Sequence, residues 1–184
     1  RILDVVGNLA IAFPGIAFHL AESGNTRLRT PGNGDRQAAL SAVWGKEIAK
    51  KLTPLEQNGP STRVSGYLCS PEISKPGRSH ELFFVNNRPI KSRLLGHALE
   101  NAVRNMTPDS RYPIAAIFID IDPNMVDVNV HPAKSEIKFT NDSSVHHAVS
   151  SCVKDSLLKH GILPTIRFDK AQTHETGNFG PVPS

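Results

Sequence analysis

Residues 82–87 read LFFVNN, residues 88–93 RPIKSR and residues 113–122 PIAAIFIDID. The first and third are apolar runs of strand length. The third, from Ile114 to Ile121, is so nearly free of polar residues that it reads as a central strand buried on both faces. Between them, Leu94, Leu95, Ala98, Leu99, Ala102, Val103 and Met106 recur at helical spacing, while Arg93, His97, Glu100 and Arg104 fall on another face. The order is therefore buried strand, basic turn, amphipathic helix, buried strand.

After the second strand comes Val126-Asp127-Val128-Asn129-Val130-His131-Pro132-Ala133-Lys134. Three valines alternate with Asp127, Asn129 and His131, giving one apolar and one polar face. Pro132 holds His131 away from the helical region and ends regular pairing. Lys134 is then presented from a tight turn at the end of a strand. A point charge on a long stem in that position suits contact with a phosphate. The competing reading is a solvated turn lysine, with the polar residues before it satisfying nearby backbone groups. His131 has no partner at HxxH or HExxH spacing, so no metal site is expected.

Outward from this segment, Ile2, Val5, Val6, Leu9, Ala10 and Phe13 have helical spacing, stopped by Pro14-Gly15. Ile16, Phe18 and Leu20 alternate as a strand, with a turn at Ser23-Gly24-Asn25 and a short return strand from Thr26 to Thr30. Asp35 is placed to cap a helix through Ala38, Ala39, Val43 and Trp44, which Ile48, Ala49 and Leu52 extend past Gly45. Residues 53–57 and 62–69 read as strands, and residues 70–79 as a mobile loop. A last helix, capped by Asp142 or Ser143, turns Val145, Ala148, Val149, Cys152, Val153 and Leu157 inward and ends at Gly161.

The chain has 184 residues, 39% hydrophobic and 21% charged, enough for one globular domain with a core. No run approaches the roughly 18 apolar residues of a membrane span, and no signal peptide opens the chain. The first residue is Arg within a helical pattern, which reads as a piece cut from a longer chain. Two cysteines without paired spacing, Cys69 and Cys152, argue against a disulfide framework or zinc site and fit a reducing cytoplasm. The formal charge of +4 permits nucleic-acid contact without demonstrating it.

The blocks FFVNNRPIKSRLLGHALENAV (83–103) and YPIAAIFIDIDPNMVDVNVHPAKSEIKF (112–139) closely resemble the MutL family of DNA mismatch-repair proteins. The VNxRxI and DVNVHPAKxEIKF patterns are specific together, and their separation matches. More loosely, RILDVVGNLAIAFPGIAF resembles the start of the family's transducer domain. Asn87 stands where bacterial members often carry Gly, and Asn also tolerates left-handed backbone angles.

The resemblance implies a transducer domain over residues 1–161 and the start of a flexible linker over 162–184. It implies an α/β fold (α+β, two-layer) like domain two of small-subunit ribosomal protein five and of gyrase B. That fold includes a left-handed βαβ crossover, which the general handedness rule would not favour. It implies that Lys134 reaches the γ-phosphate of ATP held, with Mg, by a GHKL ATPase domain absent from this chain. It also implies sequence-independent DNA contact through Arg88, Lys91, Arg93 and Arg104. Over residues 86–111, with Arg111 included, basic residues exceed acidic ones by three. An ordinary solvated helix face, or structural pairing of Arg88 near the strand end, remains open for these cations.

The partners implied are DNA, the chain's own ATPase domain, a second MutL copy and a MutS-type mismatch-recognition protein, in the cytoplasm and with no membrane. No catalytic residue is expected in this chain, because neither the GHKL nucleotide motifs nor a metal-dependent nuclease motif is present. Three alternatives stand beside this reading: the matching domain of a type II topoisomerase, a pure protein-interaction module, and a GHMP-type small-molecule kinase. The last would need a longer phosphate loop than residues 31–35 offer.

Overall fold

The computed structural model describes residues 2–127 and 137–162. The expected phosphate-contacting Lys134, with His131 and Pro132, lies outside the described residues. Helix α1 (Ile2–Ala12) leads to a hairpin of β1 (His19–Glu22) and β2 (Asn25–Arg29). Strand pairing starts three residues later than the alternation from Ile16 implies. The chain first closes a turn, in which the Ile16 N–H donates to the carbonyl of Phe13, and Ile16 is left exposed.

Helix α2 (Arg36–Trp44) is capped by Asp35, whose carboxylate accepts from the Gln37 N–H. The helix does not run on past Gly45 as the spacing implies. Gly45 takes φ 92 and its N–H returns to Ser41, so α3 (Lys46–Ala49) is a separate turn of helix and Leu52 belongs to the next strand. A left-handed φ cannot be accommodated within a helix, and glycine adopts it at little cost.

The central sheet holds β3 (Leu52–Asn58), β4 (Thr62–Cys69), β6 (Glu81–Val85), β7 (Arg88–Ile90) and β9 (Ala115–Ile121), in the order β3-β4-β9-β6-β7. Among the described residues only β6 and β9 pair in parallel. The crossover between them contains β7, α4 (Arg93–Val103) and β8 (Tyr112–Pro113). Both edge strands carry a proline, Pro54 and Pro89, which withholds a backbone donor at each edge.

Strand β9, buried at every position but Asp120, matches its sequence pattern, because both of its faces are covered. Ile117, Ile119 and Ile121 face the core beneath α4 and α5 (Asp142–Lys159), with Leu55, Val64, Leu68, Phe83 and Val85. Ala116 and Phe118 face Phe84, Ile11 and Leu40 on the side of α1 and α2. Each large apolar residue removed from water here is worth about 1.5–3 kcal/mol. Close packing also fixes the neighbours: a Cβ at Gly66 would lie 2.1 Å from the carbonyl oxygen of Ala116 on β9.

Residues 70–79 are tied down rather than a free loop. Strand β5 (Ser74–Lys75) pairs with β8, and the Arg111 guanidinium donates to both the hydroxyl and the carbonyl of Ser74. The cap of α5 is Asn141, not Asp142 or Ser143. Its side-chain oxygen accepts from the Ser144 N–H at 2.9 Å, the reach of an N-cap to N3. Gly161, at φ 68, ends the helix as expected, with the Ile162 N–H returning to Leu157 and the Gly161 N–H to Leu158. Cys152 is buried in the inward stripe of α5, and burial pushes its thiol up to about 11. Strands β10 (Val126–Asp127) and β11 (Lys138–Phe139) pair at the exit and re-entry of the segment that contains Lys134.

Candidate nucleic-acid interface

The basic turn after β6 is a two-residue hairpin. Val85 pairs with Arg88, and the residues between them, Asn86 and Asn87, have φ values of 49 and 64. Positive φ at both central positions is the requirement of the type I′ turn, whose twist matches that of paired strands. Asn satisfies it with less strain than most other non-glycine residues. Arg88 therefore begins the edge strand β7, Lys91 follows its end, and Ser92 caps α4 through a bond from the Leu95 N–H to its hydroxyl. Arg93 is the first residue of the helix.

Arg88, Lys91 and Arg93 thus lie within one short, backbone-bonded connection. All three are exposed, and their side chains make no hydrogen bond or ion pair among the described residues. Arg104 is separated from them. It caps the other end of α4, an 11-residue helix about 16 Å long at 1.5 Å per residue. Its guanidinium donates to Asn101 at 2.7 Å. Arg111, counted with the local positive excess, is occupied by Ser74. Three cations are brought together and two are not.

A family model described as DNA mismatch repair protein, C-terminal domain, matches residues 40–158. A MutL protein of Symbiobacterium thermophilum is 40% identical over 157 residues, 85% of this chain and 25% of that protein. A MutL protein of Bacillus licheniformis is 36% identical over 170 residues, 92% of this chain and 27% of that protein. The chain belongs to the MutL family of DNA mismatch repair proteins. It spans about a quarter of the length of these MutL relatives. In fold it is similar to the solved N-terminal domain of a DNA repair protein, at TM-score 0.72 and 20% identity over 87% of this chain and 53% of that one. It is also similar to the MutL ATPase domain of Aquifex aeolicus, at TM-score 0.58 and 15% identity over 83% of this chain and 50% of that one.

One polar cluster of this MutL-family domain has no signature in the sequence. Glu81 opens β6 with a side chain 3% exposed, against Glu100 of α4 and 3.9 Å from Arg78. Burial first, and then the neighbouring Glu100 carboxylate, push Glu81 up to about 8, with Arg78 pulling the other way. Arg78 donates to Glu100 at 2.6 Å and lies 4.5 Å from the Tyr112 ring. The bond to Glu100, chiefly, holds the Arg78 guanidinium above its usual value. Nothing in the period of residues 81–86 distinguishes a buried glutamate from a solvent-facing strand end.

The loop at residues 31–35, where a kinase would hold phosphate, does not form a phosphate cradle. It leads into α2, but the Gln37 N–H there already donates to the carboxylate of Asp35. A Cβ on Gly32 would stand 2.4 Å from the Ala17 backbone nitrogen, so the loop packs closely on the lead into β1. No group of three or more metal-ligating side chains occurs among the described residues, and no helix among them is long and apolar enough to cross a membrane. Arg36 lies over the Phe118 ring at 3.8 Å, and burial lowers its guanidinium from the usual value.

Proposed function

We propose that this domain makes sequence-independent phosphate contacts to DNA through Arg88, Lys91 and Arg93. We propose too that it relays the nucleotide state of an ATPase domain through Lys134. The observation that carries the DNA reading is the exposed, unpaired condition of the three cations, among the described residues, on a hairpin-to-helix connection whose backbone is already bonded. Ordering long side chains costs conformational entropy, and a fixed backbone leaves only the side-chain part of that cost at binding. Arg104, with a bond already made and at the far end of α4, is a lesser contributor.

The relay rests on the family membership together with the matching HPAK block, since Lys134 lies outside the described residues. ATP and Mg would be held by the preceding domain, and Lys134 would approach the γ-phosphate. A contact made with ATP and weakened with ADP biases two domain orientations by its difference in energy. That bias would favour dimerisation of the N-terminal region and engagement of a MutS-type partner, in a cytoplasmic, DNA-associated setting. This chain would itself catalyse nothing.

Two experiments test the readings separately. Fluorescence anisotropy of the 184-residue chain with labelled duplex should show binding that weakens steeply with salt, at about 0.9 in log–log slope for each phosphate neutralised. Salt-independent binding, or none at low salt, would remove the DNA reading. Lys134→Ala in the chain joined to its ATPase domain should slow hydrolysis and abolish ATP-driven dimerisation. Unchanged values of both would remove the relay.

A further inference from the structure

Parallel pairing of β6 with β9 ends at Val85 and Ile119, and the Asn86 N–H still donates to the Ile119 carbonyl at 2.9 Å. The type I′ turn then carries the chain away. In a continuing parallel ladder the next β6 residues would bond the N–H and the carbonyl of Ile121. Instead the Asn86 side chain does both. Its Nδ2 donates to the Ile121 carbonyl at 3.0 Å, and its Oδ1 accepts from the Ile121 N–H at 3.0 Å. A side-chain amide has the same donor and acceptor as a peptide group, so it can complete a ladder that the backbone has left. Asn87, its neighbour in the turn, contributes through its backbone alone. It has φ 64, an exposed position and no side-chain bond among the described residues.

We infer that Asn86 is the positioning residue of the DNA contact. Its amide extends the sheet by one step, and so holds the turn, and Arg88 directly after it, at a set height beside the end of β9. Without that pair of bonds the turn is held to β9, among the described residues, by the Asn86 N–H alone, and β7 is an edge strand whose three-residue ladder reaches only β6. The inference rests on the DNA reading above. It goes beyond it by assigning a role to a neutral side chain that touches no phosphate.

The test compares Asn86→Gly, which keeps the positive φ and deletes only the amide, with Asn87→Gly, which deletes no bond. Each is measured in the 184-residue chain by anisotropy with labelled duplex at two salt concentrations, in the presence and absence of Arg88→Ala. Hydrogen exchange of the Ile121 amide is followed in parallel. Asn86→Gly should bind several-fold more weakly, with a salt slope shallower by about 0.9 although every Lys and Arg remains. The Ile121 amide should exchange faster, and Asn87→Gly should behave as the parent. Because Asn86 acts through Arg88, its loss should add no further weakening in the Arg88→Ala background. Equal weakening in both backgrounds would overturn the positioning role and leave a merely structural one. Undiminished binding by Asn86→Gly would overturn it too, with the DNA reading intact. Failure of the parent chain to bind at low salt would overturn both.

Discussion

The two ends of α4 carry similar charge, free at one end and bonded at the other among the described residues. At the N-terminal end, Arg88, Lys91 and Arg93 are exposed and make no side-chain bond among the described residues. Around the C-terminal half, Arg78 is bonded to Glu100, Arg104 to Asn101 and Arg111 to Ser74. A count of basic residues along the sequence treats the six alike. Availability for a phosphate differs, because a cation bonded within the protein must give up that bond, or share it, before it can neutralise an outside charge. A basic stretch becomes an interface only where the fold leaves its charges unspent.

Two substitutions would break or sharpen that contrast directly. Arg88→Ala should weaken duplex binding several-fold and make the salt slope shallower by about 0.9. Arg111→Ala should leave DNA binding unchanged yet destabilise the fold by about 1.5–3 kcal/mol, the range for bonds from a charged donor, read as a lower melting temperature. A normal melting temperature with weakened DNA binding would reverse the assignment of the two ends.

Glu81→Gln addresses the acid side of the same cluster. A carboxyl raised to about 8 in the fold contributes stability that is fully present below its unfolded value near 4.3 and is lost as pH rises through about 8. The parent chain should therefore lose urea resistance progressively from about pH 4.3 to about pH 8, with no further loss from this group above that. Glu81→Gln, which cannot ionise, should lose less, so the gap between them widens with pH. Parallel pH profiles would show that Glu81 is ionised and accommodated throughout. Smallest of all, Asn141→Ala should cost about 1 kcal/mol, as loss of an N-cap does, whereas Asp142→Ala and Ser143→Ala should each cost less, all by thermal melting.

Much of the frame was legible because burial leaves a period. Strand β9 reads as buried on both faces because helices cover both, and α4 reads from its apolar stripe for the same reason. The clustering of Arg88, Lys91 and Arg93 was legible too, since they are near neighbours in the chain. What escaped depends on partners distant in sequence or on backbone angles. Gly45 ends α2 through its φ, and residues 70–79 are ordered by β8 and Arg111, which lie well beyond them in the chain. The burial of Glu81 depends on α4 lying across the start of β6, and the amide of Asn86 finds Ile121 only after the sheet has formed. Asn141 takes the cap in place of Asp142 because either residue has the required chemistry and only the helix start distinguishes them.

The central claim is that the DNA contact lies at the N-terminal end of α4. The most direct test reverses the charge at each end separately, Arg88→Glu, Lys91→Glu and Arg93→Glu in one chain and Arg104→Glu in another. Duplex binding of both is then measured by anisotropy at low and at moderate salt. Loss of binding in the first chain, with only a small decrease in the second, is the predicted result. Equal losses, or a larger loss from Arg104→Glu, would contradict it.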